Sequence, residues 1–178
     1  FNLGASTQVD IDSEKNGVVP DKEWKKNNFT SRENQVWHKG ETVIAGIGQG
    51  YMLVTPLQLA LATAIIANKG TAHKPHMLKA IEYTNSGKTQ YLESESIDYI
   101  NYIDDKNWNL IHEGMEAVVN ERRGTAYGIF PDNSSIAGKT GSSQVFSIDK
   151  RSSNEVPEEL RDHGLFIGFA PIDKPEII

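Results

Sequence analysis

Gly138-Lys139-Thr140-Gly141-Ser142 is the stretch on which the fold turns. A Gly-Lys-Thr triplet also closes the phosphate-binding loop of nucleotide hydrolases, where a helix starts at the lysine. That loop needs a glycine five residues before Gly138, and Asn133 stands there. Gly141 follows Thr140 at once, and Ser142-Ser143-Gln144-Val145-Phe146 continues in a strand-like pattern. The stretch therefore reads as the middle of a strand over Ile136 to Phe146. Glycines at 138 and 141 remove side chains on either side of Lys139 and Thr140, so a substrate backbone can lie close. Lys139 supplies a fixed positive charge, and strand alternation puts the hydroxyls of Thr140 and Ser142 on one face. Backbone N–H groups of an edge strand can bind an extended peptide or an oxyanion.

Outward from this strand, Leu165-Phe166-Ile167-Gly168-Phe169-Ala170 is an apolar run ended by Pro171, and it reads as a buried strand. A third strand is expected to open at Glu176, after the turn at Asp173-Lys174-Pro175. Two helices stand out upstream. Thr55-Pro56 is an N-cap followed by proline at the first helical position, and the helix runs to Ala67, with Gly70 as its left-handed stop. It is apolar nearly all round, the mark of a buried helix. Asp104 or Asp105 caps the other, to about Asn120, with Trp108, Ile111, Met115 and Val118 as its apolar stripe. Thr7 to Ile11 alternates like a short strand, residues 12–41 read as a long irregular surface excursion, and residues 71–103 as a hairpin or exposed strands, with a turn signal at Asn85-Ser86-Gly87. The fold class is α+β, an antiparallel sheet flanked by helices.

The 178 residues suit one domain or a large piece of one. A net charge of -6 without a basic run argues against a nucleic-acid surface. Zero cysteines exclude disulfides, thiolate catalysis and Cys-ligated metals. No apolar run reaches the length of a membrane span. Phe1-Asn2-Leu3-Gly4 looks like the end of a helix, and Pro175-Glu176-Ile177-Ile178 like the opening of a strand. The chain is therefore expected to be part of a longer polypeptide.

Several segments together carry a family resemblance. They are Gly46-Ile47-Gly48-Gln49-Gly50-Tyr51 with Thr55-Pro56-Leu57-Gln58-Leu59-Ala60, then Asn68-Lys69-Gly70 with Pro75-His76. Gly114-Met115 and Gly124-Thr125-Ala126 follow, then Ala137 to Val145, then Leu160-Arg161-Asp162-His163 with Phe166 to Pro171. In this order they resemble the transpeptidase domain of class B penicillin-binding proteins, most closely the elongation-type enzymes of the penicillin-binding protein 2 group. The resemblance implies the penicillin-binding, serine β-lactamase-like transpeptidase fold, with residues 1–178 as the C-terminal portion of one such domain.

The family uses three motifs, S-x-x-K, S-x-N and K-[ST]-G, in that order. Only the third stands in its place here. Ser147-Ile148-Asp149-Lys150 and Ser152-Ser153-Asn154 copy the other two literally, but they follow the KTG in a polar loop and are assigned to chance. The nucleophilic serine, its lysine and the second motif would then lie ahead of Phe1. The resemblance implies attack by that serine on a D-Ala–D-Ala stem peptide, with an acyl-enzyme resolved by the amine of a second stem peptide. β-Lactams would acylate the same serine.

Lys139 and Ser142 are the candidate catalytic residues by this resemblance: Lys139 as positive potential in the proton network, the Ser142 N–H as half of the oxyanion hole. Thr140, Gly141, Ser142 and Gln144 are the candidate substrate-binding residues, with Thr140 and Ser142 on the terminal carboxylate. The family more often has threonine where Ser142 stands, and the hydroxyl survives. No cofactor and no metal is expected. The partners implied are peptidoglycan stem peptides, a RodA-type glycosyltransferase and the scaffold MreC, and the location is the periplasmic face of the inner membrane behind an N-terminal anchor. A catalytically silent sensor or scaffold module with the same fold stays open beside this reading, as do a carboxypeptidase and a β-lactamase.

Other residues have plainer readings. Arg161-Asp162-His163 is expected to anchor its loop, although His163 falls near the KTG strand. His73 and His76 have metal-like spacing in a loop with no helix behind it. Asp10, Asp12 and Glu14 read as a solvated acidic face, and Trp24, Trp37 and Trp108 as packing anchors.

Overall fold

The computed structural model describes residues 1–143, 158 and 161–178. Its helices are α1 (Lys22–Asn28), α2 (Lys39–Gly46), α3 (Pro56–Ala67) and α4 (Asp105–Asn120). Its strands are β1 (Thr71–His73), β2 (Ala80–Tyr83), β3 (Lys88–Tyr91), β4 (Ser96–Tyr99), β5 (Ala137–Ser143) and β6 (His163–Phe169). They form antiparallel two-stranded sheets, β1 with β4, β2 with β3 and β5 with β6. The class is α+β, as expected. β5 packs against α4 and β6 against α3, so the KTG strand pair lies on the two-helix layer. The third strand expected at Glu176 reduces to one bridge, with Ala170 and Ile177 exchanging both backbone hydrogen bonds.

Helix α3 begins as read. The Thr55 hydroxyl accepts from the Gln58 N–H at 3.2 Å, the Gln58 side-chain oxygen accepts from the Thr55 N–H at 3.0 Å, and Pro56 opens the helix. Gln58 is fully buried, and its amide also donates to the carbonyls of Ala5 and Asn16, each at 2.7 Å. A polar side chain in that position costs little because each of its bonds is made. Gly70 ends the helix at φ +100, where a Cβ would meet the Ile100 oxygen at 2.5 Å.

Helix α4 keeps its predicted bounds but turns a different face inward. Trp108, His112, Met115 and Val119 are buried, whereas Ile111 is exposed and Val118 half-buried. The i, i+4, i+7, i+11 stripe replaces the expected one because the His112 Nε2 donates to the carbonyl of Ile66 at 2.8 Å. That carbonyl is one of the last of α3, which a helix leaves without a full set of donors. The His112 ring also packs against Phe169, centroids 5.0 Å apart. One core cluster joins Ala67, Met115, Ala137 and Phe169, and a second joins Leu61, Ile65 and Ala72.

Three expectations near the N-terminus are corrected. Residues 7–11 are not a strand: Gln8 has φ +61, and the carboxylate of Glu14 gathers the Ser6 hydroxyl with the N–H groups of Thr7 and Gln8. Those bonds hold the Glu14 carboxyl down at about 2. Glu14 is thus the hub of a loop rather than part of a solvated face. Asp10 likewise accepts from the N–H of Met77 at 2.6 Å and of Leu78 at 3.3 Å. Residues 12–41 contain α1 and the start of α2. Asp21 caps α1 by accepting from the Trp24 N–H at 2.7 Å, and buried Lys25 bonds Glu41 and the Val36 carbonyl. The Trp24, Phe29 and Tyr51 rings pack together 5.2–6.2 Å apart. The polar composition hid these helices because each rests on a cap and one buried ion pair, not on an apolar stripe. The hairpin reading of 71–103 holds for β2–β3, which turn through Gly87 at φ +64. Among the described residues no helix is long and apolar enough to cross a membrane.

Candidate active site

The lysine of the KTG stretch lies inside strand β5, with no helix starting from it. The register with β6 sets Gly138 opposite Gly168, Thr140 opposite Phe166, Ser142 opposite Gly164 and Ser143 opposite His163. Among the described residues β5 pairs with β6 alone. The strand is buried at Ala137 and Gly138 and exposed from Gly141 to Ser143, so its roots are in the core and its tip is open.

The two glycines differ in role. A Cβ on Gly138 would lie 2.3 Å from the Phe166 ring and 2.9 Å from the Ile167 oxygen. One on Gly168 would lie 2.9 Å from both Phe166 and the Ala137 oxygen. The Phe166 ring, which also packs on Phe130 at 5.5 Å, fills the notch left by this glycine pair. Gly138 is therefore bare for packing, not for a ligand, which corrects half of the sequence reading. Gly141 is open: the nearest atom to its imagined Cβ is 3.7 Å away, on Leu165.

Lys139 is exposed, and its Nζ donates along the strand to the Thr140 carbonyl at 2.6 Å. Thr140 is half-buried, and its hydroxyl shares a 2.6 Å hydrogen bond with the hydroxyl of Thr125. Beside the tip of β5 lies a cavity of about 790 Å³. Gly141, Ser142, Ser143, His163 and Leu165 form one wall, and the Ile47–Gly50 turn with Met52, Leu53 and Leu59 forms another. The cavity walls are mainly apolar, with hydroxyls and an imidazole at the strand side. Such a site suits an extended chain that brings polar groups to one edge and apolar groups to the other.

The turn in the opposite wall is built by Gly48 at φ +74 and Gly50 at φ +75. Residue chemistry alone gave no reason to place that turn across from Ser142; the sequence marked it only as one of the segments of the family resemblance. Thr125 was likewise not singled out as a site residue. Of the expected site residues, Lys139, Thr140, Gly141 and Ser142 come together on β5, and Gln144 lies outside the described residues. The literal S-x-x-K and S-x-N copies also lie outside them. His163 stands beside the KTG strand, opposite Ser143, at the cavity. His73 is in β1, while the His76 Nδ1 donates to the Leu78 carbonyl at 2.9 Å. Among the described residues no three acidic or imidazole groups gather as metal ligands.

Comparison with known proteins shows the family. The family model described as the penicillin binding protein transpeptidase domain matches residues 1–178. The chain is 44% identical to the peptidoglycan D,D-transpeptidase MrdA of Acinetobacter baumannii, across 99% of this chain and 26% of that protein. It is 33% identical to MrdA of Escherichia coli, across 99% of this chain and 28% of that protein. The penicillin-binding protein PBP2 of Helicobacter pylori, solved in complex with MreC, superposes with a TM-score of 0.73 at 32% identity, over 98% of this chain and 28% of that one. Penicillin-binding protein 2B of Streptococcus pneumoniae shares the fold, with a TM-score of 0.68 at 23% identity over 99% of this chain and 24% of that one. The chain thus spans about a quarter of the length of the curated relatives it matches. A KTG strand open at its tip, a facing glycine turn and a match over the whole sequence converge, and the chain belongs to the penicillin-binding protein transpeptidase domain family.

Proposed function

We propose that the chain is the C-terminal portion of a peptidoglycan D,D-transpeptidase domain and supplies the substrate-gripping wall of its active site. The observation that carries this reading is the β5 tip: Gly141 to Ser143 exposed beside a cavity of about 790 Å³. A stem peptide lies along β5 as an added strand and places its terminal carboxylate at the hydroxyls of Thr140 and Ser142. Lys139 adds a positive charge beside that carboxylate and the serine nucleophile. The N–H of Ser142 donates to the oxyanion formed when the serine attacks, and loss of one such donor costs about 10²–10³ in rate. Bond making and breaking follow the acyl-transfer pattern. The serine oxygen bonds the penultimate D-Ala carbonyl carbon while the neighbouring lysine of its motif takes the serine proton and passes it to the nitrogen of the departing D-Ala; an acceptor amine then bonds that carbon, its proton returning by the same lysine to the displaced serine oxygen.

The serine comes from a part of the polypeptide ahead of this chain, which fits the quarter-length match to the relatives. Gln144 completes the proposed substrate-binding set. The whole enzyme works at the periplasmic face of the inner membrane, in elongation, with a RodA-type glycosyltransferase and MreC. The Helicobacter pylori relative solved with MreC supports the latter partner.

Mass spectrometry of the full-length protein with a labelled β-lactam tests this. The expected adduct sits on a serine upstream of Phe1. A label on Ser147 would overturn the assignment of motifs. No label on any serine would replace the enzyme with the silent sensor or scaffold.

A further inference from the structure

We propose that Thr125 is a positioning residue, whose hydroxyl orients the Thr140 hydroxyl toward the peptide carboxylate. The inference rests on the reading of Thr140 as a carboxylate-binding residue.

The first support is the way Thr125 is held. It sits in a loop folded back on the end of α4. The Gly124 N–H donates to the Glu121 carbonyl at 2.8 Å, and the Ala126 N–H to the Val118 carbonyl at 3.0 Å. A Cβ on Gly124 would stand 2.2 Å from the Val118 oxygen and 2.4 Å from that of Ala117, so only glycine lets the loop press against those carbonyls. Ala126 is completely buried. Thr125 is thus flanked by two anchored residues, while its own side chain stays exposed and reaches β5. Helix α4 itself packs on β5, so loop and strand share one support.

The second support is proton arithmetic. The two hydroxyl oxygens are 2.6 Å apart, and each threonine hydroxyl has one proton. One of the two protons therefore lies between them, and the other is free to bond a further acceptor. If Thr140 donated to Thr125, it would turn lone pairs toward an incoming carboxylate, which repels it. With Thr125 as donor, the Thr140 proton is released to the anion. A carboxylate at Thr140 thus selects the order Thr125 O–H to Thr140 O–H to carboxylate, in which each bond polarises the next. No covalent step is involved, and Thr125 touches no reacting atom.

The test uses the full-length protein and compares acylation by a β-lactam carrying a free carboxylate with acylation by its methyl ester. In Thr125→Val the second-order acylation constant for the acid should fall about 3- to 10-fold, the range of one lost hydrogen bond. The loss should appear in the binding constant rather than in the limiting acylation rate, and the ester constant should not change. Thr125→Ser, which keeps the hydroxyl, should restore the acid value; Thr125→Ala repeats the test should valine not be tolerated. An equal loss for acid and ester, or no loss for either, overturns the proposal. Thr140→Val separates the two levels of the argument. If it leaves the acid-over-ester preference intact, the carboxylate reading of Thr140 fails. If it removes the preference while Thr125→Val does not, only the positioning role fails.

Discussion

Strands β5 and β6 form one antiparallel pair, and strands β2 and β3 form another. The hydrogen-bonding pattern is the same, but their surroundings differ. The root of the first pair carries Ala137 at 0% and Phe169 at 2% exposure, wedged between α3 and α4. The second is exposed at every position but the half-buried Ala80, and its Ile81, Tyr83 and Tyr91 face solvent. Its base is tied to the rest of the molecule by Asp10, through the N–H groups of Met77 and Leu78. Ladder bonds make a strand pair, but burial makes it a platform. A group that must meet a reacting atom within a fraction of an ångström belongs on the first kind.

The sharpest way to break the comparison is to hollow the platform. Phe169→Ala removes the ring shared by Ala67, Met115, Ala137 and His112, and should cost about 3–5 kcal/mol by denaturant unfolding. Loss below about 1 kcal/mol would mean that β6 is no more anchored than the hairpin. Gly124→Ala comes next. Backbone oxygens occupy the space a Cβ would need, so the loop must shift, costing about 1–3 kcal/mol and misplacing Thr125. Its β-lactam acylation should fall with its stability.

Acid separates the regions by tether rather than by core. Glu14 titrates at about 2 against its ordinary 4.5, chiefly through its bonds to Ser6 and Thr7. Asp10 is also held below its ordinary 3.8, first by the Met77 N–H. Both values are depressed on folding, so the stabilisation is complete above the ordinary values and is lost as pH falls through the folded ones. Relative to the intrinsic exchange rate at each pH, the protection of the Thr7, Gln8, Met77 and Leu78 amides should therefore fall, for Glu14's contacts between pH 4.5 and about 2, while β5 and β6 stay protected. Equal loss of protection in both regions would contradict the distinction. The smallest effect is on the hairpin itself: Tyr91→Ala, at an exposed position, should change stability by no more than about 0.5 kcal/mol.

What could be read ahead of the structure was local. Thr55 and Pro56 mark the start of α3 between themselves, and the turn at Gly87 joins two strands that touch. The strand character of β5 followed from glycines that bar a helix there. What could not be read depends on partners distant in the chain. The inward face of α4 was displaced because His112 finds a carbonyl 46 positions away. Helices α1 and α2 were missed because a Lys25–Glu41 pair, rather than an apolar stripe, joins them. The Gly138 assignment was half wrong because Phe166, its lid, is on another strand.

By itself the sequence determined the α+β class, the two main helices, the KTG strand and, through its joined segments, the family. Only the tertiary structure decided which glycine is packed and which is open, which turn faces Ser142, and that Thr125 meets Thr140. Caps, turns and periodicity act over one or two turns of chain, so residue order is enough to express them. The site is made where β5, its neighbouring loop and the glycine turn converge, and that convergence is a property of packing.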